Sequence, residues 1–304
     1  MPDALVVGFL KENVSAFGSI RMWGEVGVGA GSFIVGVVVD FYQSEVCGEV
    51  VNNYYISFYF FAGFIAVAMF TAIFMEVTYP DREISTDINL LSLVKELMKF
   101  HNAVYVLVAC FLGMFLGLHD SFGLWYLDEL GAEPYMLGIA SGLRYTVAVV
   151  GYVISGSVVN KFGLACTIAA CLLLYVAVYM GLAFVLNPWL GMALFIVQGL
   201  LYGTSWAACV VFGGTVSLRV GFHTATQGLL GGCHWGLGVG SGMIVSGFMI
   251  NKVGVAKTYF IYSLMSLVVF VLFSLSHLLA RFREGKGNSD ESYKLVPTSA
   301  EDSQ

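Results

Sequence analysis

Runs of about twenty mostly apolar residues recur along the chain, and they limit what it can fold into. A transmembrane helix needs about 20 such residues, whereas strands of a membrane barrel alternate apolar and polar residues over about 10. The segments 172–177 and 268–273 show no such alternation. The sequence therefore predicts an all-α membrane protein with about eight transmembrane helices, at 19–41, 54–77, 103–127, 136–159, 164–186, 189–212, 226–250 and 258–279.

The charge content agrees with a chain that is surrounded by lipid. Only 11% of the residues are charged, whereas soluble domains carry roughly 25%. The 14 basic residues do not exceed the 20 acidic ones, so no positive excess is available to neutralise nucleic-acid phosphates. These values argue against a soluble enzyme and a nucleic-acid binder, and they predict the lipid bilayer as a partner.

Sequence motifs of common enzyme and metal sites are missing. The chain has no His-Glu-x-x-His pair for zinc, no Walker loop for ATP and no His/Cys cluster at ligand spacing. We therefore expect no enzyme activity, no cofactor and no metal site.

The basic residues in the loops predict the orientation. With the N-terminus inside, ten Lys and Arg residues fall on the cytoplasmic side, and only Lys252 and Lys257 fall outside. Because basic residues favour the cytoplasmic side, both termini are predicted to be cytoplasmic. Segment 89–100 has apolar residues at helical spacing, which suits either an amphipathic helix on the membrane surface or a solvated linker helix.

Two stretches that are 91 residues apart resemble each other. Segment 155–163 reads SGSVVNKFG and segment 246–254 reads SGFMINKVG. Three predicted spans separate them, so the two turns face opposite sides of the membrane. Three-helix units of opposite topology are typical of inverted repeats in secondary transporters. The alternative is a chance similarity between two turns that end in glycine.

Two motifs carry a resemblance to a known family. The turn 156–163 resembles the major facilitator superfamily loop motif Gly-x-x-x-Asp-Arg/Lys-x-Gly, with Asn160 in place of the usual Asp. Segment 17–27, FGSIRMWGEVG, resembles the fifth helix of the lactose-permease-like branch. Within that branch, the chain is most similar to the group called major facilitator superfamily domain-containing protein six.

The resemblance implies a major facilitator superfamily fold of two six-helix bundles, of which this chain holds a part. Residues 1–5 resemble the end of helix four, so helices one to four are expected to be missing. The implied division is a cytoplasmic stub at 1–18, two helices of the N-terminal bundle at 19–78, a cytoplasmic loop with the amphipathic helix at 79–100, a complete C-terminal six-helix bundle at 101–281 and a disordered cytoplasmic tail at 282–304.

Ionisable side chains inside a membrane cost at least about 2.5 kcal/mol each near its centre, so each needs a reason. Arg21 and Glu25 are four residues apart and therefore lie on one helix face. The resemblance implies that Arg21 binds a polar substrate and that Glu25 is its counter-ion. The alternative is an internal salt bridge with no role in binding.

The third to seventh spans contain the other candidates. His119 and Asp120 are predicted to carry a coupled proton, or else to make a structural hydrogen bond between helices. Arg144 is the natural partner of Asp120. Four further residues are candidates for substrate binding, with a structural role as the alternative for His234: Tyr145, Gln198, Trp206 and His234.

Glycines at a spacing of four residues predict close helix packing. The seventh span has the longest such series, and the first span has the pair Gly27 and Gly31. The series in the seventh span is Gly228, Gly232, Gly236 and Gly240.

Together these features predict a secondary active transporter that moves a small-molecule polar solute by alternating access. Symport of the solute with protons is a hypothesis within this prediction. The alternative is a non-transporting, receptor-like or truncated membrane protein.

Overall fold

The computed structural model describes residues 17–46, 49–52, 55–74, 95–220 and 223–284. Most of the predicted stub at 1–18, half of the predicted surface helix at 89–100 and the tail from residue 285 therefore lie outside the described residues. The last helix continues through Glu284, which is slightly beyond the predicted start of the tail.

The described part of the chain is almost entirely helical. Its elements are α1 (Phe17–Phe41), β1 (Gln43–Val46), β2 (Glu49–Asn52), α2 (Tyr55–Phe74), α3 (Phe100–Glu129), α4 (Pro134–Phe162), α5 (Leu164–Phe184), α6 (Pro188–Val220), α7 (His223–Gly231), a π-helix (Gly232–Val239), α8 (Gly240–Val253) and α9 (Val255–Glu284).

The helices follow the predicted spans. Among the described residues, seven helical segments are long and apolar enough to cross a membrane, with α7, the π-helix and α8 counted as one. The first predicted span is also helical, over α1, although it is not among those seven. Many large apolar side chains are exposed on these helices, as expected for surfaces that lie in lipid. The all-α membrane fold is thus confirmed.

The chain divides into two compact units, of which residues 26–90 form one. Within this unit, the loop between α1 and α2 forms a short antiparallel hairpin in which Gln43 pairs with Asn52 and Val46 with Glu49. The sequence analysis did not predict this hairpin. Gly31, of the predicted glycine pair in α1, lies beside the Phe64 ring of α2, whereas nothing lies within 4 Å of a Cβ built at Gly27.

The other unit contains α3 to α9, and two close helix crossings organise it. At the crossing of α4 with α6, a Cβ at Gly151 would lie 2.6 Å from the Leu200 carbonyl oxygen. At the crossing of α3 with α8, a Cβ at Gly242 would lie 2.5 Å from the Met114 carbonyl oxygen. Gly151 and Gly242 are 91 residues apart, so the repeated segments use the same position for a close backbone approach.

The two repeated turns also share their geometry. Gly163 ends α4 with φ of 83° and Gly254 ends α8 with φ of 87°, a region that glycine adopts without a steric penalty. Thr167 and Thr258 each donate a hydroxyl hydrogen bond of 2.8 Å to the carbonyl oxygen of the preceding glycine. This agreement supports an internal repeat rather than a chance match of two turns.

The predicted glycine series in the seventh span does not make a helix contact within the described part of the chain. Nothing lies within 4 Å of a Cβ built at any of its four members, Gly228, Gly232, Gly236 and Gly240. Gly228, Gly232 and Gly236 are exposed and Gly240 is half-buried, so the series lies along a face that no described helix covers. Gly238 and Gly242 face α3 instead, opposite Gly113 and Gly117.

This packing predicts that alanine substitutions at Gly242 and Gly240 differ in their effect on stability. Gly242→Ala forces the α3 backbone to move, because the added Cβ would also lie 2.7 Å from the Met114 Cα, and we expect a loss of about 1–3 kcal/mol of stability. Gly240→Ala adds a methyl group to open space and should leave stability unchanged or slightly raised. The stability of both variants is measured as the fraction of protein that stays monodisperse after heating in detergent. Equal losses in both would contradict the crossing.

Candidate functional site

An ion pair joins α3 to α4. Arg144 Nη2 lies 2.6 Å from Asp120 Oδ1, which confirms the predicted pairing of these two residues. The Arg144 side chain is only 6% exposed, whereas that of Asp120 is 36% exposed. The carboxylate therefore lies at the edge of the unit and the guanidinium lies inside it.

A third helix completes the surroundings of the arginine. Arg144 Nε donates a hydrogen bond of 2.9 Å to Gln198 Oε1 on α6. The guanidinium carbon also lies 5.7 Å from the Phe195 ring centroid and 5.4 Å from the Tyr145 ring centroid. Charge, hydrogen bonding and cation–π attraction together make a buried arginine tolerable at this depth. We call Asp120, Arg144 and Gln198 the ion-pair cluster.

Gly199 makes this cluster possible, and the sequence analysis missed it. A Cβ at Gly199 would collide with the Arg144 backbone carbonyl and would lie 3.0 Å from its Cγ. Gly203 allows the same close approach to Ala148 one turn later. The spacing of Gly199 and Gly203 is the four-residue signal that is typical of close helix packing.

His119 does not bond to its sequence neighbour Asp120. Consecutive residues on a helix point about 100° apart, so His119 faces the core while Asp120 lies at the edge. The imidazole stacks on Phe195, with ring centroids 4.3 Å apart. The Phe195 backbone lies close by, but neither imidazole nitrogen makes a hydrogen bond of ordinary geometry within the described residues. The Phe195 ring thus separates His119 from Arg144.

Two further candidates meet in a second cluster. Trp206 of α6 stacks on His234 of the π-helix, with ring centroids 4.1 Å apart. Trp235 packs against both rings, and Tyr202 lies against Trp235. We call Trp206, His234, Trp235 and Tyr202 the aromatic cluster. Tyr202 and Trp235 were not predicted as site residues.

Helix α6 connects the two clusters. Gln198 and Trp206 are eight residues apart, which is about 12 Å along a helix axis. The face that runs from Phe195 through Gln198 and Tyr202 to Trp206 therefore carries aromatic and polar side chains within a membrane-spanning helix.

Of the other sequence candidates, Arg21 and Glu25 belong to helix α1, but their side chains lie outside the described residues.

The long apolar helices, with polar side chains buried between them, are those of an integral, multi-pass membrane protein. The chain belongs to the MFS_1 like family, whose match extends over residues 1–262. It is therefore a member of the major facilitator superfamily.

The ion-pair cluster predicts a strong coupling between two substitutions. Asp120→Asn leaves a buried guanidinium without its counter-charge and should lower stability by about 1–3 kcal/mol. Asp120→Asn combined with Arg144→Gln removes both charges, so its loss should be smaller than the sum of the two single losses. The coupling is measured from the heat stability of the purified variants in detergent.

The ion pair of Glu96 with Lys99 provides the control, since Lys99 is exposed and Glu96→Gln should change stability little. Additive effects of Asp120→Asn and Arg144→Gln would contradict the coupling.

Proposed function

We propose that this protein is a secondary active transporter that moves a small polar solute by alternating access, coupled to proton movement. The observation that carries the proposal is the ion pair of Asp120 and Arg144 between membrane-spanning helices. Buried charges in membrane helices are costly and typically mark transport pathways and proton relays. The membership in the major facilitator superfamily supports the same conclusion.

The proposed coupling uses competition for Arg144. While Asp120 is ionised, its carboxylate holds the guanidinium; a proton on Asp120 removes that charge and leaves Arg144 donors available to a solute. The Asp120 side chain is 36% exposed, and we propose that a proton reaches the pair from this side. We propose that His119, buried beside Phe195, affects this step through packing, because it makes no bond to Asp120.

The proposed solute-binding residues form three groups. Arg144, Tyr145 and Gln198 belong to the ion-pair region, and Trp206 and His234 belong to the aromatic cluster. Arg21 and Glu25 of α1 are proposed from the resemblance of segment 17–27 to the fifth helix of lactose-permease-like proteins.

Transport and coupling are testable in proteoliposomes. We expect the wild-type chain to accumulate at least one polar solute from a labelled panel when a pH gradient is applied. Asp120→Asn should abolish this accumulation and still allow exchange of labelled for unlabelled solute, because exchange needs no net proton movement. Glu96→Gln, which breaks the ion pair with the exposed Lys99, is the matched control and should accumulate solute normally.

Two outcomes would count against this account. Unaltered accumulation by Asp120→Asn would remove Asp120 from the coupling. Absence of both accumulation and exchange in the wild-type chain, across the whole panel, would favour a non-transporting, receptor-like membrane protein.

The proposed topology places both termini in the cytoplasm, and the internal repeat offers a matched test. Asn160 and Asn251 occupy equivalent, exposed positions at the ends of α4 and α8. In intact cells, Asn251→Cys should react with a membrane-impermeant maleimide, and Asn160→Cys should react only after permeabilisation. The parent chain gives the background from its six native cysteines. The reverse pattern would overturn the orientation.

A further inference from the structure

We propose that Trp206 and His234 form a hydroxyl-binding subsite, and that the ligand of this subsite is an uncharged solute. That this ligand is also the transported solute rests on the proposed function. The inference starts from two polar atoms, Trp206 Nε1 and His234 Nε2, which are buried and have no hydrogen-bond partner within the described residues. Trp206 is 3% exposed and His234 is 1% exposed.

The chemistry of His234 follows from its other nitrogen. His234 Nδ1 lies 2.8 Å from the Ala109 carbonyl oxygen, which can only accept, so Nδ1 carries the proton and donates it. In the neutral ring, Nε2 then holds a lone pair and is an acceptor. The indole Nε1 of Trp206 is always a donor.

The donor and the acceptor do not satisfy each other. The two rings are stacked with an angle of 26° between their planes, and a ring N–H points within its own plane. A buried polar group without a partner is costly, because it has lost its hydrogen bonds to water and gained none in the protein. A hydroxyl group is suited to both atoms, because it accepts from the indole N–H and donates to the imidazole nitrogen.

The helix packing holds this pair in place. His234 lies in the π-helix, and its backbone carbonyl lies against Gly113 of α3, where a Cβ would collide with it. Single π-turns within helices often occur at functional sites. Trp235, the residue after His234, is 42% exposed and packs on both rings of the pair. Its indole provides an aromatic surface for the apolar face of a hydroxylated ring.

The charges nearby favour an uncharged ligand. Away from the helix ends, Asp120 and Arg144 are the charged residues that the structure describes between α3 and α9, and they neutralise each other. A second buried donor, the Gln198 side-chain nitrogen, has no partner in the described part of the chain and is also uncharged. While Asp120 is ionised and paired with Arg144, a solute with a net charge finds no free counter-charge on these helices away from their ends.

Ligand-induced heat stabilisation of the purified full chain in detergent tests this inference. The uncharged, hydroxylated probes are myo-inositol, sucrose and uridine. Dideoxyuridine is matched to uridine but lacks two of its sugar hydroxyls. The charged probes are gluconate, glucosamine and glutamate. We expect at least one uncharged, hydroxylated probe to stabilise the chain, and the charged probes to have no effect.

Two variants examine the pair itself. Trp206→Phe keeps an aromatic ring and removes the donor. His234→Asn removes the acceptor, while its amide nitrogen is still able to donate to the Ala109 carbonyl. In each we expect a tenfold or higher concentration of the probe for half-maximal stabilisation. Trp189→Phe, at the exposed start of α6, is the control and should respond like the wild type.

The outcomes separate this inference from the proposed function. Stabilisation that both variants weaken, and that the control retains, supports the subsite even if proteoliposomes transport nothing. Stabilisation by charged probes alone, an equal response in wild type and in both variants, or no stabilisation by any probe would overturn the subsite. Transport of a charged solute would then leave the proposed function standing.

Discussion

The arrangement of helices around the candidate site depends on how a buried arginine is neutralised in a protein that lies in lipid. Arg144 receives a carboxylate from α3 and an amide oxygen from α6, so three helices meet at one guanidinium. Removing either partner leaves donors that neither lipid nor the neighbouring aromatic rings can satisfy. The pair thus links the arrangement of the helices to the protonation of a single side chain, as the proposed coupling of solute movement to proton movement requires.

Close backbone packing provides the frame in which that pair is held. The α4–α6 and α3–α8 crossings each depend on glycine, and they use equivalent positions of the internal repeat at Gly151 and Gly242. The π-helix adds an asymmetry, because it occurs in the second repeat and brings His234 against α3. The helix that carries the second repeated turn thus differs from α4 by this π-helix, which contributes His234 and Trp235 to the aromatic cluster.

Much of the helical architecture could be predicted from the sequence, because apolar runs of sufficient length have few alternatives in lipid. The partnership of Asp120 with Arg144 was also predictable, since two opposite charges in neighbouring spans need each other. The glycine series of the seventh span was predicted to pack and does not do so within the described residues, because a spacing of four residues defines a helix face but not which face meets a neighbour. The separation of His119 from Asp120 and the role of Gly199 depend on which face each helix turns to its neighbours, and one sequence does not determine that.

The central claim is that a solute and a proton move together through the ion-pair cluster. The most direct measurement is the external pH of weakly buffered proteoliposomes, without an imposed gradient, after addition of a solute that the protein takes up. The account predicts that the external medium becomes more alkaline as solute and protons enter together, and that Asp120→Asn shows no such change. Uptake of the solute with a constant external pH would contradict it.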